Sequence, residues 1–189
     1  MATVTRHGGL LNRGETGLVV VDVQEGFRPV IDGFDAMVKN VGILAAGFGV
    51  LERPVLVSEQ YPKGLGHTVE ELAEALPEGH VLVEKLRFSA CGVDAFEEAL
   101  SASGCRAWVV CGIETHVCVN QTVHDLLARG YEVHVAEDAV SSRAPENRRI
   151  AMEKMLAAGA RATSAETALF EMLEEAGSPE FKAISKLVR

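Results

Sequence analysis

Short apolar runs recur along this chain, and most are followed by a stretch with the spacing of an amphipathic helix, an alternation that leaves few possible folds. The strand-like runs are Leu18 to Val23, Pro54 to Ser58, His80 to Val83, Arg106 to Cys111, Tyr131 to Ala136 and Arg161 to Thr163. Between them, Met37, Val41, Leu44 and Ala45 set a helical stripe in the segment from Phe34 to about Leu51, and Val69 to Leu76 reads as a short helix. Asp94 is placed to cap a helix through about Ser101, Thr115 one through about Arg129, and Ser164 one through Leu173. Pro145 stands near the start of a helix reaching Ala157, and a terminal helix is expected from Pro179 to Arg189. This order predicts an α/β protein, a three-layer α/β/α sandwich whose central sheet is mostly parallel and Rossmann-like.

No linker, repeat or low-complexity tract divides the 189 residues, so one domain over 1–189 is expected, with its core at about 14–175 and the terminal helix at about 179–189. Hydrophobic residues make up 48% and aromatic ones only 5%, so the core is expected to be Val, Leu, Ile and Ala. A net charge of −9 without clustered Lys or Arg argues against nucleic acid or an anionic membrane as partner. The start, Met1-Ala2-Thr3-Val4-Thr5-Arg6-His7, carries no apolar leader, and no run approaches the roughly 20 residues of a spanning helix. Cys91, Cys105, Cys111 and Cys118 form no CxxC pair and no zinc-type spacing with His. They read as reduced thiols of a cytoplasmic protein, and neither metal nor cofactor is expected. The turn after the first strand, Asp22-Val23-Gln24-Glu25-Gly26-Phe27, lacks the GxGxxG of a dinucleotide site.

Chemistry concentrates in Val109-Val110-Cys111-Gly112-Ile113-Glu114-Thr115-His116-Val117-Cys118. A buried strand, a Gly turn and a Thr115-capped helix would set Cys118 in the first helical turn, where free N–H groups and the helix dipole favour a thiolate and can hold an oxyanion. Asp22 and Lys85 also stand at or just after strand ends and would project to the same edge of the sheet, where ligands of such folds bind. A thiol flanked by a carboxylate and an ammonium makes a nucleophile, base and orienter set. Each has a plainer reading alone: Cys118 as a small buried hydrophobe, Asp22 as a loop-capping carboxylate, Lys85 as a solvated lysine. Cys91, Cys105 and Cys111 read as packing residues. The loops Gln24–Gly33, Glu59–Thr68 and Arg87–Val93 lie at the same edge, and Phe27, Arg87 and Phe88 are the candidates to line a pocket, Arg87 by pairing with a substrate carboxylate.

Val20-Val21-Asp22-Val23-Gln24, Val83-Glu84-Lys85 with Phe88-Ser89, and Gly112-Ile113-Glu114-Thr115-His116-Val117-Cys118-Val119 occur in this order, followed by Ala136-Glu137-Asp138-Ala139-Val140. Over about residues 14 to 175 the chain resembles the isochorismatase-like cysteine hydrolases, a superfamily that includes nicotinamidases, carbamoylsarcosine-type amidohydrolases and isochorismatases. The resemblance implies that fold, a catalytic triad of Asp22, Lys85 and Cys118, a cis peptide between Ile113 and Glu114, and an oxyanion hole made by the backbone N–H groups of Glu114 and Cys118. It further implies hydrolysis of a small amide or related C–N bond through a thioester-type intermediate, a small-molecule substrate and a homo-oligomer. Glu59 and Tyr61 stand where nicotinamidases carry an Asp-x-His metal motif, and Glu59 with His67 alone falls short of a ligand set. The segment from Ser58 to Gly66 is closer to the isochorismatase-domain-containing subgroup. A scaffold that keeps the fold but closes the pocket, or a redox-active thiol protein using Cys118, are the competing readings.

Overall fold

The computed structural model describes residues 7–189; residues 1–6, within the stretch read as lacking an apolar leader, lie outside the described residues. The strands are β1 (Thr16–Val21), β2 (Val55–Gln60), β3 (Val81–Lys85), β4 (Ala107–Ile113), β5 (Glu132–Ser141) and β6 (Arg161–Thr163). The helices are α1 (Phe34–Val50), α2 (Pro62–Leu65), α3 (Glu70–Ala73), α4 (Asp94–Ala102), α5 (Asn120–Ala128), α6 (Pro145–Ala157), α7 (Ala165–Leu173) and α8 (Pro179–Leu187). The sheet has the order β3-β2-β1-β4-β5-β6, and each neighbouring pair is parallel. The chain winds outward from β1 to one edge, then crosses to β4 and winds to the other. Between β1 and β4 the connections therefore leave in opposite directions, which opens a crevice beyond the C-terminal ends of these two strands.

Alternate residues of the buried strands feed two separate cores. Leu18, Val20, Val109 and Cys111 pack with Met37, Val41, Leu44, Leu72, Leu169 and Ile184, so α1, α3, α7 and α8 cover one face. Val19, Val21, Trp108 and Val110 pack with Phe96, Leu100, Val123, Leu126, Met152 and Met155, so α4, α5 and α6 cover the other. Cys118 belongs to this second core. The three-layer α/β/α architecture expected from the sequence is the one observed. Among the described residues, no helix is long and apolar enough to cross a membrane.

Several local expectations change, and β2 runs to Gln60 rather than ending at Ser58. β3 continues through Lys85 rather than ending at Val83, and β5 runs on to Ser141 rather than stopping at Ala136. A register shift against β4 between Val110 and Gly112 lets Glu137 and Asp138 both point outward while Ala139 and Val140 return to the core. Asp138 then accepts the Ala165 N–H at 2.9 Å, tying β5 to the start of α7. Val93, in extended conformation, precedes α4, so Asp94 sits inside the first turn, where its charge suits the helix dipole, instead of capping it. Thr115 does not cap a helix either. It opens a wide π-type turn, Thr115–Val119, that leads into α5, and its hydroxyl donates across to the Ser141 carbonyl at 2.9 Å. Ser164 does cap α7, accepting the Thr167 N–H, and Pro145 takes the first turn of α6.

Candidate active site

The crevice is tight because Gly112 has no side chain. Its φ is +109°, and a Cβ there would lie 2.1 Å from the Val21 carbonyl oxygen. β4 can thus approach the end of β1 where the chain turns at Asp22. Asp22 itself adopts φ +54°, a left-handed conformation that Asp tolerates better than most residues. Its N–H donates to the Ser58 carbonyl at 2.9 Å, and its side chain is fully buried.

The sheet register brings the partners to it. Val21 is opposite Ser58, Ser58 is opposite Val83, and Gln60 is opposite Lys85. Ser58 and Gln60, two apart on β2, share a face. The Ser58 hydroxyl donates to Asp22 Oδ1 at 2.7 Å, and Lys85 Nζ donates to Asp22 Oδ2 at 2.7 Å and to Gln60 Oε1 at 2.7 Å. The Asp22–Lys85 pair has no solvent-exposed side-chain area, so two opposite charges are held together out of water. Cys118 Sγ lies 4.0 Å from Gln60 Oε1, and the charges of Asp22 and Lys85 act on it in opposite directions. Residues from β1, β2, β3 and the turn after β4 thus meet at one point.

Burial pushes the Asp22 carboxyl above the ordinary carboxylate range, outweighing the Lys85, Cys118 and Ser58 interactions that favour its charge. Burial also pushes the Cys118 thiol up, to about 12; the neighbouring Asp22 charge adds to the rise and Lys85 opposes it. Burial thus favours the neutral thiol, against the thiolate that a helix start favours. Desolvation beside a carboxylate is the stronger influence. Cys91 is raised to about 12 by the same burial, and Cys111 is raised too.

The Ile113–Glu114 peptide bond is cis. The Glu114 carbonyl accepts the Val117 and Val119 N–H groups at 3.0 and 3.2 Å. The Glu114 carboxylate accepts both the backbone N–H and Nε of Arg143 at 3.0 Å each, anchoring this turn to the segment after β5. A cavity of about 490 Å³ opens above Cys118. Phe27, Val30, Leu65, Phe88 and Val117 form apolar walls, and Gln60, Glu114 and Arg143 bring polar groups to it. Phe27 and Phe88 both line this cavity. Arg87 does not line this cavity: it is exposed and folds its aliphatic stem against Gly92, and the guanidinium on the lining belongs to Arg143.

Glu59, on the opposite face of β2 from Gln60, spends its carboxylate on the loop. It accepts the Thr68 N–H at 2.6 Å and the Thr68 hydroxyl at 2.8 Å, and meets His67 Nδ1 at 3.0 Å. Among the described residues, no three His, Cys, Asp or Glu side chains gather as a metal site. Ser58, Gln60 and Arg143 escaped the sequence reading. A signal existed for the first two: polar residues two apart closing the apolar strand Val55-Leu56-Val57.

The family model for the isochorismatase domain matches residues 16–167. The chain is 38% identical to the secreted isochorismatase effector Isc1 of Phytophthora sojae, a match spanning 100% of this chain and 91% of that protein. Among solved structures, MAR1 ribonuclease of Caenorhabditis elegans superposes with a TM-score of 0.91 at 39% identity, covering 95% of this chain and 92% of that one. YcaC of Pseudomonas aeruginosa, whose structure contains hexane-2,5-diol and covalent acrylamide, superposes with a TM-score of 0.88 at 25% identity, covering 97% and 93%. With the crevice between β1 and β4 and the residues that meet there, these likenesses show that the chain belongs to the isochorismatase-like hydrolase family.

Proposed function

We propose that this protein is a cysteine hydrolase that cleaves a small amide or related C–N bond, with Cys118 as nucleophile, Asp22 as proton carrier and Lys85 as the charge that holds both. The observation that carries this reading is the buried Asp22–Lys85 pair at 2.7 Å with the Cys118 thiol beside it at the foot of a cavity. A carboxyl raised by burial is a stronger base when ionised, and its pKa moves toward the working pH, which suits a group that must take up a proton and later release it. In the first half-reaction Asp22 takes the thiol proton as Sγ bonds to the carbonyl carbon. The N–H groups of Glu114 and Cys118 hold the oxyanion, and losing one such donor costs roughly 2.7–4 kcal/mol. Asp22 then passes its proton to the leaving nitrogen as the C–N bond breaks. In the second half, Asp22 accepts a proton from water as the hydroxyl attacks the thioester. The C–S bond breaks and the proton returns to sulfur.

Apolar walls with Arg143 at the lining suit a compact substrate with an apolar body. Some similar proteins are named ribonucleases, but a net charge of −9 without a basic cluster disfavours a phosphate chain here. The covalent acrylamide of the YcaC structure fits a reactive nucleophile in the family, since thiols add to acrylamide. Four free thiols favour a reducing compartment such as the cytoplasm, and exposed Leu82 and Leu86 beside the edge of β3 favour a homo-oligomer. The test is ammonia or amine release from a panel of primary amides and N-carbamoyl compounds. Turnover that disappears in Cys118→Ala supports the reading. No turnover, together with peroxide oxidation of Cys118 to a sulfenic acid, would replace it with the redox thiol protein.

A further inference from the structure

Gln60 holds a place that the triad alone leaves unexplained. Its side chain spans two groups of opposite hydrogen-bonding character: Nε2 donates to the Leu86 carbonyl at 2.9 Å, while Oε1 accepts from Lys85 Nζ at 2.7 Å and lies 4.0 Å from Cys118 Sγ. Each end of the amide faces the partner it can serve, so the orientation is chemically determined. The main chain at this residue is equally held. Gln24, fully buried, accepts the Gln60 N–H at 2.7 Å and donates to the Gln60 carbonyl at 3.0 Å and to the Gly66 carbonyl at 2.6 Å. A neutral oxygen is thereby fixed between the ammonium and the sulfur.

The geometry points to Gln60 as a positioning residue that tethers the Lys85 ammonium and offers the Cys118 S–H a neutral acceptor, so that the thiol keeps its proton until Asp22 removes it. An ammonium has three N–H groups. Asp22 and Gln60 take one each, which leaves one for the sulfur once it becomes anionic. The charged groups facing Cys118 are Asp22 from the end of β1 and Lys85 from the end of β3, with the Glu114–Arg143 pair at the cavity wall. A neutral amide at residue 60 adds no charge to this set, and a carboxylate in the same position would.

This role rests on Cys118 being the reacting group, and its test is independent of any substrate. The second-order rate of iodoacetamide alkylation at Cys118 is measured by mass spectrometry across pH in wild type, Gln60→Glu and Gln60→Leu, with circular dichroism to confirm folding. Gln60→Glu adds a negative charge next to the sulfur, and the rate at a given pH should fall at least tenfold. Gln60→Leu removes the S–H acceptor and frees a second Lys85 N–H to turn toward the thiolate, and the rate should rise several-fold. Opposite signs from one position are not what structural damage produces. Rates equal to wild type, or a change of the same sign in both variants, overturn the positioning role. If either variant fails to fold, the sign of the other decides. Failure of the hydrolase reading would show separately, as absent turnover in wild type.

Discussion

Asp22 and Lys85 hold each other in a place where neither could stay charged alone. Removing one partner should leave an uncompensated buried charge or hole, so Asp22→Asn and Lys85→Met should each lower unfolding free energy by ~3–5 kcal/mol in urea titrations. The double variant should regain most of that loss, a non-additivity expected of residues in contact. Cys118 carries a pH prediction. Its thiol is raised to about 12, so thiolate is scarce below that value, and alkylation should quicken with pH well beyond the ordinary thiol midpoint of about 8.5. A plateau near neutral pH in a pH–rate series would contradict the burial. Asp22 was readable because a strand-end carboxylate is costly without a partner, and Lys85 because it follows a strand at the same edge of the sheet. The thiol's protonation was not readable, since it depends on how completely helix and sheet exclude water.

At the scale of elements, the site depends on how closely β4 approaches β1. Gly112→Ala would place a methyl group against the Val21 carbonyl at a φ of +109°. It should cost at least ~2 kcal/mol in denaturant unfolding and spread Asp22 from Cys118, with turnover falling more than stability. The alternation of strands and helices followed from apolar periodicity, and alternate strand residues feed the two cores. Strand ends did not. Glu59-Gln60 looked like the start of a loop because polar residues closed the run, yet both residues still pair with β3. That misplaced boundary hid Gln60. The same effect hid the continuation of β5 through Glu137 and Asp138, and with it the approach of Arg143 to Glu114.

Across the whole molecule, the sheet separates two cores that should fail independently. Ile184 on α8 and Leu126 on α5 are both fully buried, on opposite faces. Truncating either to Ala should cost ~2–5 kcal/mol, with the loss set by how far the surroundings collapse. The functional consequences should differ. Leu126 shares its core with Cys118, so a void there loosens the packing that keeps the thiol dry, and Cys118 alkylation should accelerate. Ile184 packs beneath the sheet with α1 and α7, and the intervening strands leave the site's hydrogen bonds unchanged. At temperatures where both variants remain folded, alkylation should match wild type in Ile184→Ala and exceed it in Leu126→Ala. Equal acceleration in both would mean that the sheet transmits packing changes from one face to the other, and that the site is tuned by the entire fold rather than by the crevice between β1 and β4.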